Sequence, residues 1–412
     1  MNSDSEKFYG WWVVLGGFLM CFMGIGIAIN ALGVFFKPVV SSLGFGRGEF
    51  SFYFIIAALV MTFFAPVVGK LLERFDIRVV MGVSATLLAG SFMLYSQCNT
   101  LRGFYLVSVL GGIGHAGSHI IPVSMAVNNW FEEKRGLAMG IVFSGTGLGG
   151  LLFNPLGNWL IISYGWRNAY MILGALMAIT CIPVAIFIMR HSPASCGQYP
   201  DGKEPSGQVE QAEVGLNLVE SMQYGSFWLI VLMVFLLNTL NMGIQQHLIP
   251  YLTDLGHSST FAANIMALYL GMTVVGKLFL GHTSDTKGLR VGFGWFMVLM
   301  TIGIATLYGS VFVWLAVIFG IIYGVANAVQ TVIPPLMTAR CVGLKHYGMI
   351  YGVVSIFSTL GAGIGVPLSG YIYDWTGSYN MAFSVFLVSS IIAGLAGMRA
   401  MTLINRRQKQ QL

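Results

Sequence analysis

Charge is what this sequence has least of. Only 9% of its 412 residues are Asp, Glu, Lys or Arg, against roughly 25% in an ordinary soluble domain. So few charges cannot clothe a water-facing surface at this length, and lipid must be the solvent for much of the chain. Acid is especially scarce. The 15 Asp and Glu lie in loops, tails or the ends of apolar stretches, and none lies in the middle of one. A cationic solute would find no carboxylate partner within the membrane. Cysteine is sparse too. Cys21, Cys98, Cys181, Cys196 and Cys341 show no zinc or disulfide spacing, so they read as small packing residues. No set of residues has metal-ligand spacing, so neither a metal nor another cofactor is expected. Gly145-Thr-Gly-Leu-Gly149-Gly150 superficially resembles a phosphate loop. It lacks the preceding strand and the Lys-Ser/Thr ending, which excludes nucleotide binding. No nucleophile–base set is visible either, and an enzyme is not expected.

What the sequence has in abundance is apolar residues, at 56% of the chain, with a mean hydropathy of +0.78. Twelve apolar stretches reach the span length of roughly 20 residues. They lie near 11–36, 50–72, 78–97, 101–129, 136–158, 167–189, 226–252, 259–282, 291–308, 312–339, 347–373 and 380–403. The runs are continuous rather than alternating, which argues against a β-barrel. The 53 glycines suit close packing of membrane helices. The first stretch is too long for a leader and follows Asp4 and Glu6, so no cleavable signal is expected.

The net charge of +6 reports topology rather than a nucleic-acid partner. With both termini cytoplasmic, only Lys37, Arg47, Arg102 and Arg167 fall outside and Lys277 falls within a span; the remaining Lys and Arg are inside. The positive-inside rule therefore predicts a multi-pass protein of the cytoplasmic (inner) membrane. It is expected to act as a monomer surrounded by lipid.

Residues 191–221 interrupt the hydrophobic pattern with Pro193, Pro200, Pro205 and a run of acids. This reads as a cytoplasmic linker between two six-helix bundles, 1–190 and 222–412. The halves repeat at a single offset of 212 residues. Pro38, Gly69, Arg78, Pro122, Gly136, Gly140, Pro155 and Asn168 match Pro250, Gly281, Arg290, Pro334, Gly348, Gly352, Pro367 and Asn380. A gapless series of this kind indicates duplication. Parallel six-span repeats are one architecture of secondary transporters, with the substrate site near midplane.

Away from the span ends, Lys277 is the sole Lys or Arg in an apolar stretch. It lies eight residues before Asp285, about 12 Å along a helix, so its backbone is not far from midplane. No acid on its own helix is placed to neutralise it, and a bound carboxylate would. His115 and His119, spaced i, i+4, would share a helix face with Ser118 beside them. The repeat places Asn327 and Thr331 at the matching positions. His247 is a further candidate for a site or gate residue. Tyr323, Asn327 and Gln330 could donate to substrate oxygens, and Phe143 and Phe357 could wall a cavity.

Two motifs carry a resemblance. Gly69-Lys-Leu-Leu-Glu73-Arg74-Phe-Asp76-Ile-Arg78 and its repeat, Gly281 to Arg290 with Asp285, resemble the cytoplasmic loop signature of the major facilitator superfamily. That implies an all-α fold of twelve transmembrane helices and a latch at the cytoplasmic ends of the bundles. Glu73 replaces the usual Asp, and Asp76 the usual Gly. Gly10-Trp-Trp-Val-Val14, Trp130 to Gly140, Tyr164-Gly-Trp-Arg167, Tyr199-Pro-Asp-Gly202 and His247 to Gly256 are similar to the monocarboxylate transporter and oxalate:formate antiporter families. The resemblance implies alternating-access transport of a small organic anion, a monocarboxylate first, by proton symport or anion exchange. The alternatives are a non-transporting ligand sensor on the same scaffold and a carrier of a dicarboxylate or neutral solute. It also implies that Lys277 stands where relatives place a carboxylate-binding Arg, and Asn30 where animal members place a Lys. Thr273 stands at their proton-coupling Asp. The oxalate carrier's second cation has no counterpart between Tyr347 and Tyr373, so a dicarboxylate would lack one partner.

Overall fold

The computed structural model describes residues 8–131, 134–202, 216–342 and 347–410. The side chains of Glu73 and Asp285 lie outside the described residues, so their expected latch pairing does too. The helices in chain order are α1 (Gly10–Ile25), α2 (Gly33–Leu43), α3 (Arg47–Arg74), α4 (Ile77–Tyr95), α5 (Leu101–Ser118), α6 (Ile120–Trp130) and α7 (Arg135–Pro183). They continue as α8 (Leu218–Met222), α9 (Gly225–Asp254), α10 (Ser259–Lys287), α11 (Leu289–Thr306), α12 (Val313–Ala326), α13 (Val329–Val342), α14 (Tyr347–Thr376) and α15 (Asn380–Gln410). No strand occurs among the described residues.

Among the described residues, eleven helical stretches are long and apolar enough to cross a membrane, including Gly10–Leu43, Leu101–Trp130 and Val313–Val342. One, Leu137–Ile188, is 52 residues long and turns at Gly165, whose φ is +79°. It is two spans joined at that glycine, which gives the twelve expected from sequence. The repeat is visible in the backbone. Positive-φ Gly44 and Gly165 match positive-φ Gly256 and Gly377 at the same offset. A side chain is disfavoured at such corners, so both halves keep glycine there.

The chain divides into two compact units. One comprises Met1–Leu32 and Val60–Val209, the other Gly33–Leu59 and Glu210–Leu412. In the first unit α1 packs along α7, and α4 packs against α5 and α7. In the second, α9 packs on α14 and α15, and α10 and α11 on α12. Glycines let the backbones approach. A Cβ on Gly149 of α7 would overlap the Phe22 carbonyl of α1, and one on Gly365 of α14 would overlap the Thr239 carbonyl of α9. This is small-residue packing as membrane helices use it. The faces left over are apolar: Leu106 and Ile179 on the first unit, and Leu278, Trp295 and Leu395 on the second, are largely exposed. These are lipid-facing surfaces.

Three spans are interrupted near their middles. The first passes through a π-helical turn at Gly26–Asn30 before α2 begins. The fourth breaks between α5 and α6 at His119 (φ −135°, ψ −80°). Pro122 lacks the N–H that would have bonded the Ser118 carbonyl, and the break falls there. The tenth breaks between α12 and α13 at Asn327 and Ala328. A continuous fourth helix carrying His115 and His119 on one face is therefore corrected: His119 is the N-cap residue of α6.

Candidate functional site

In the first unit, His115 and His119 meet even though the helix breaks between them, with His115 Nδ1 2.9 Å from His119 Nε2. The proton positions follow from their neighbours. The Ile120 N–H donates to His119 Nδ1 at 3.0 Å, so His119 carries its proton on Nε2 and donates to His115. His115 then carries its own proton on Nε2. The pair is a hydrogen-bonded relay across the break between α5 and α6. His119 is fully buried. The Ser118 hydroxyl beside it has no partner among the described residues.

Asn30 is buried and occupied. Its Nδ2 donates to the Thr146 carbonyl at 2.8 Å, and its own carbonyl accepts from Asn154 Nδ2 at 3.1 Å. It ties the π turn to α7. Phe143 lies half-buried on α7. His115→Phe should strand the buried His119 N–H at a cost of about 1–3 kcal/mol. We expect a lower melting temperature in detergent; an unchanged melt would mean that the relay is absent.

In the second unit, Lys277 is half-buried in the middle of α10 and has no hydrogen bond or ion pair to any described residue. Its neighbour Gly276 fixes its surroundings, because a Cβ there would overlap the Val325 carbonyl in the last turn of α12. Helices α10 and α12 therefore cross at backbone contact beside the break in the tenth span. The C-terminal end of a half-helix carries partial negative charge, which favours an ammonium there. The ammonium's own counter-ion is left to something else.

Beside this crossing is a buried polar cluster. Tyr269 Oη donates to Asn241 Oδ1 at 2.8 Å, and Asn327 Nδ2 donates to Tyr269 Oη at 3.0 Å. Tyr323 Oη is 3.5 Å from Asn241 Oδ1. Asn241 Nδ2, Asn327 Oδ1 and Gln330 Oε1 have no partner among the described residues. Leaving such groups dry and unpaired is costly. The structure brings the expected Tyr323 and Asn327 together with Asn241 and Tyr269, which were not among the residues expected from sequence. Tyr269 and Thr273 stand eight and four residues before Lys277, and that helical spacing was the available signal.

His247 lies away from this cluster. Its Nε2 faces the Val366 carbonyl and its Nδ1 the Tyr379 hydroxyl, both at 2.9 Å. Phe357 packs edge-on against Trp228, with ring centroids 6.4 Å apart. Of the loop signature, Asp76 caps α4 by accepting from the Arg78 N–H at 2.9 Å and also pairs with Arg78 Nε at 3.4 Å. Gly69 is in the last turns of α3, and Arg74 is exposed at its end. Arg290 lines a shallow recess with Arg340 and Asn405.

Membrane-length helices with interrupted spans and, among the described residues, a mid-span Lys277 without a counter-ion make up the architecture of a membrane transporter. The sequence profile of the Major Facilitator Superfamily matches residues 18–258 and 227–411. The chain belongs to that superfamily. Among curated proteins it is similar to monocarboxylate transporter 13 of Rattus norvegicus, at 27% identity over 92% of this chain and 85% of that protein. It is also similar to monocarboxylate transporter 4 of Mus musculus, at 27% over 91% and 79%. Among solved structures, the nucleoside transporter NupG superimposes with a TM-score of 0.75 at 14% identity, over 94% of this chain and 99% of that one. A bacterial homologue of the human lysosomal transporter Spinster gives 0.71 at 15%, over 98% and 99%. At those identities the two structures speak for the fold.

Proposed function

We propose that this transporter carries a small monocarboxylate by alternating access and that Lys277 holds the carboxylate. The observation that carries this reading is the uncompensated Lys277 side chain on α10, the helix that also supplies Tyr269 to a cluster with unused amide atoms. An ammonium in a low-dielectric span needs an anion, and a substrate supplies one. The names of the curated relatives support the same class. Asn327 and Gln330, with Tyr323 behind them, would orient the rest of the substrate.

For coupling, no carboxylate lies mid-span, and the ring nitrogens of His119 and His247 already have partners. We infer that a transported proton travels on the substrate, or that the cycle is anion exchange. The asymmetry of Lys and Arg supports cytoplasmic termini and residence in the inner membrane. Purified protein in proteoliposomes should take up a radiolabelled small monocarboxylate saturably. Acceleration by unlabelled substrate on the far side would indicate exchange, and acceleration by an inward proton gradient would indicate symport. Uptake no faster than in protein-free vesicles, across a panel of such acids, would overturn the reading.

A further inference from the structure

The last part of the chain is almost without acid. Beyond Asp285 the sequence holds one acidic residue, Asp374, against Lys287, Arg290, Arg340, Arg399, Arg406 and Arg407 among its cations. Asp374 is engaged elsewhere, accepting from the backbone N–H groups of Arg47 and Gly48. Most of these cations gather where α11 begins and where α13 and α15 end. Arg407 ties α15 to the end of α13. It donates to the Cys341 carbonyl at 3.4 Å and lies 4.2 Å over the Tyr224 ring.

The shallow recess already noted lies between the three helix ends, wholly within the second unit. Its floor is apolar, made by the buried Leu289, Met337, Met401 and Ile404. Its rim is the exposed Arg290, Arg340 and Asn405. Among the described residues that line it there is no carboxylate. Lipid-facing stripes run up to this place. On α11 the exposed Val291, Trp295, Val298 and Ile302 share one face. On α15 the exposed Val388, Ile392 and Leu395 lead, on one face, into the exposed Arg399 and Arg406. A stripe that turns from apolar to basic marks the level at which hydrocarbon gives way to anionic headgroups.

Two guanidiniums over an apolar floor suit a ligand with a charged head and an apolar body. Guanidinium matches phosphate oxygens in pairs. The head must also be anionic overall, because a choline or ethanolamine headgroup brings an ammonium and the lining supplies no acid to receive it.

We propose that this recess binds the headgroup phosphate of an anionic phospholipid, held by Arg290 and Arg340, with the apolar floor against its glycerol and upper acyl chain. Native mass spectrometry of the full-length protein in detergent, titrated with dioleoylphosphatidylglycerol or dioleoylphosphatidylcholine, tests it. One copy of the phosphatidylglycerol should bind ahead of any other, and the choline lipid should bind several-fold more weakly. Arg290→Gln and Arg340→Gln should each weaken phosphatidylglycerol binding about fivefold, the loss expected of one basic side chain at a lipid surface. Arg102→Gln removes the same charge from an exposed position on α5 of the first unit and should leave binding unchanged. If Arg340→Gln does not fold, Asn405→Asp sets an acid on the exposed rim and should weaken binding in the same sense. Inorganic phosphate at the lipid's own concentration should not displace it; displacement would show a site for a free anion and overturn the lipid assignment. Equal affinity for the two lipids, the parent's affinity in a folded Arg290→Gln protein, or an equal loss in Arg102→Gln would overturn it as well.

Discussion

Lys277→Gln should abolish saturable anion binding and uptake while leaving the protein folded. The substitution removes the one Lys or Arg that lies away from the span ends, at a place where no described side chain neutralises it. Binding should fall by at least the loss typical of one desolvated charged hydrogen bond, on the order of 1.5–3 kcal/mol, or roughly ten- to a hundredfold in Kd. Lys277→Arg should retain part of the activity, because the charge remains. The larger planar guanidinium grips a carboxylate by two parallel hydrogen bonds where Lys offers a point charge, so the range of accepted acids should shift. A Lys that merely extends toward the cytoplasm predicts something else, namely near-native flux in the Gln variant. Calorimetric titration and proteoliposome flux on both variants separate the two, and native affinity in Lys277→Gln would remove the lysine from the site.

Gly365→Ala should be the most damaging small substitution in the second unit. Its Cβ would collide with the Thr239 carbonyl, which belongs to helix backbone and cannot rotate away. Helices α9 and α14 would have to separate, and overpacking of this kind costs about 1–3 kcal/mol or more. Gly352 on the same helix is the control, since nothing lies within 4 Å of a Cβ placed there. Gly352→Ala should be neutral or slightly stabilising, because Ala is the better helix former by about 1 kcal/mol. Thermal unfolding of the two variants should differ by several degrees, and equal melts would refute the backbone contact between α9 and α14.

The spans and the duplication were legible because both are one-dimensional signals: runs of apolar residues of fixed length, and matches at one offset. Lys277 was legible for a related reason, since a charge in an apolar run needs no third dimension to stand out. The breaks were harder. Pro122 and Pro334 were visible as matched residues, yet the fourth span breaks at His119 whereas the tenth breaks at Asn327 rather than at the matching Thr331. The sequence offers no rule for that stagger. His115 and His119 were correctly paired, but on the premise of a continuous helix. The Asn241–Tyr269–Asn327 cluster draws on three helices, and Asp254 meets cations that are 207 and 217 residues away in the chain. Contacts that distant leave no trace in local pattern.

The hairpin of α2 and the start of α3 belongs to the second unit, although the first repeat encodes it, and this bears on how the protein is made. Lys37 and Arg47 pair with Asp254, yet a ribosome delivers them to the membrane long before Asp254 exists, and Asp374, which accepts from the Arg47 N–H, is 327 residues beyond it. Until then those cations, and the first N–H groups of α3, must rely on water or lipid headgroups. The nascent first half is thus incomplete at one corner, and its last closure waits for nearly the whole chain. Truncation after the sixth span removes Asp254, Asp374 and the other residues of α9 and α14 that the hairpin packs against, so an isolated first half should be a better substrate for membrane quality-control proteases than its buried core suggests. Long-range closures of this kind are late and slow events in folding.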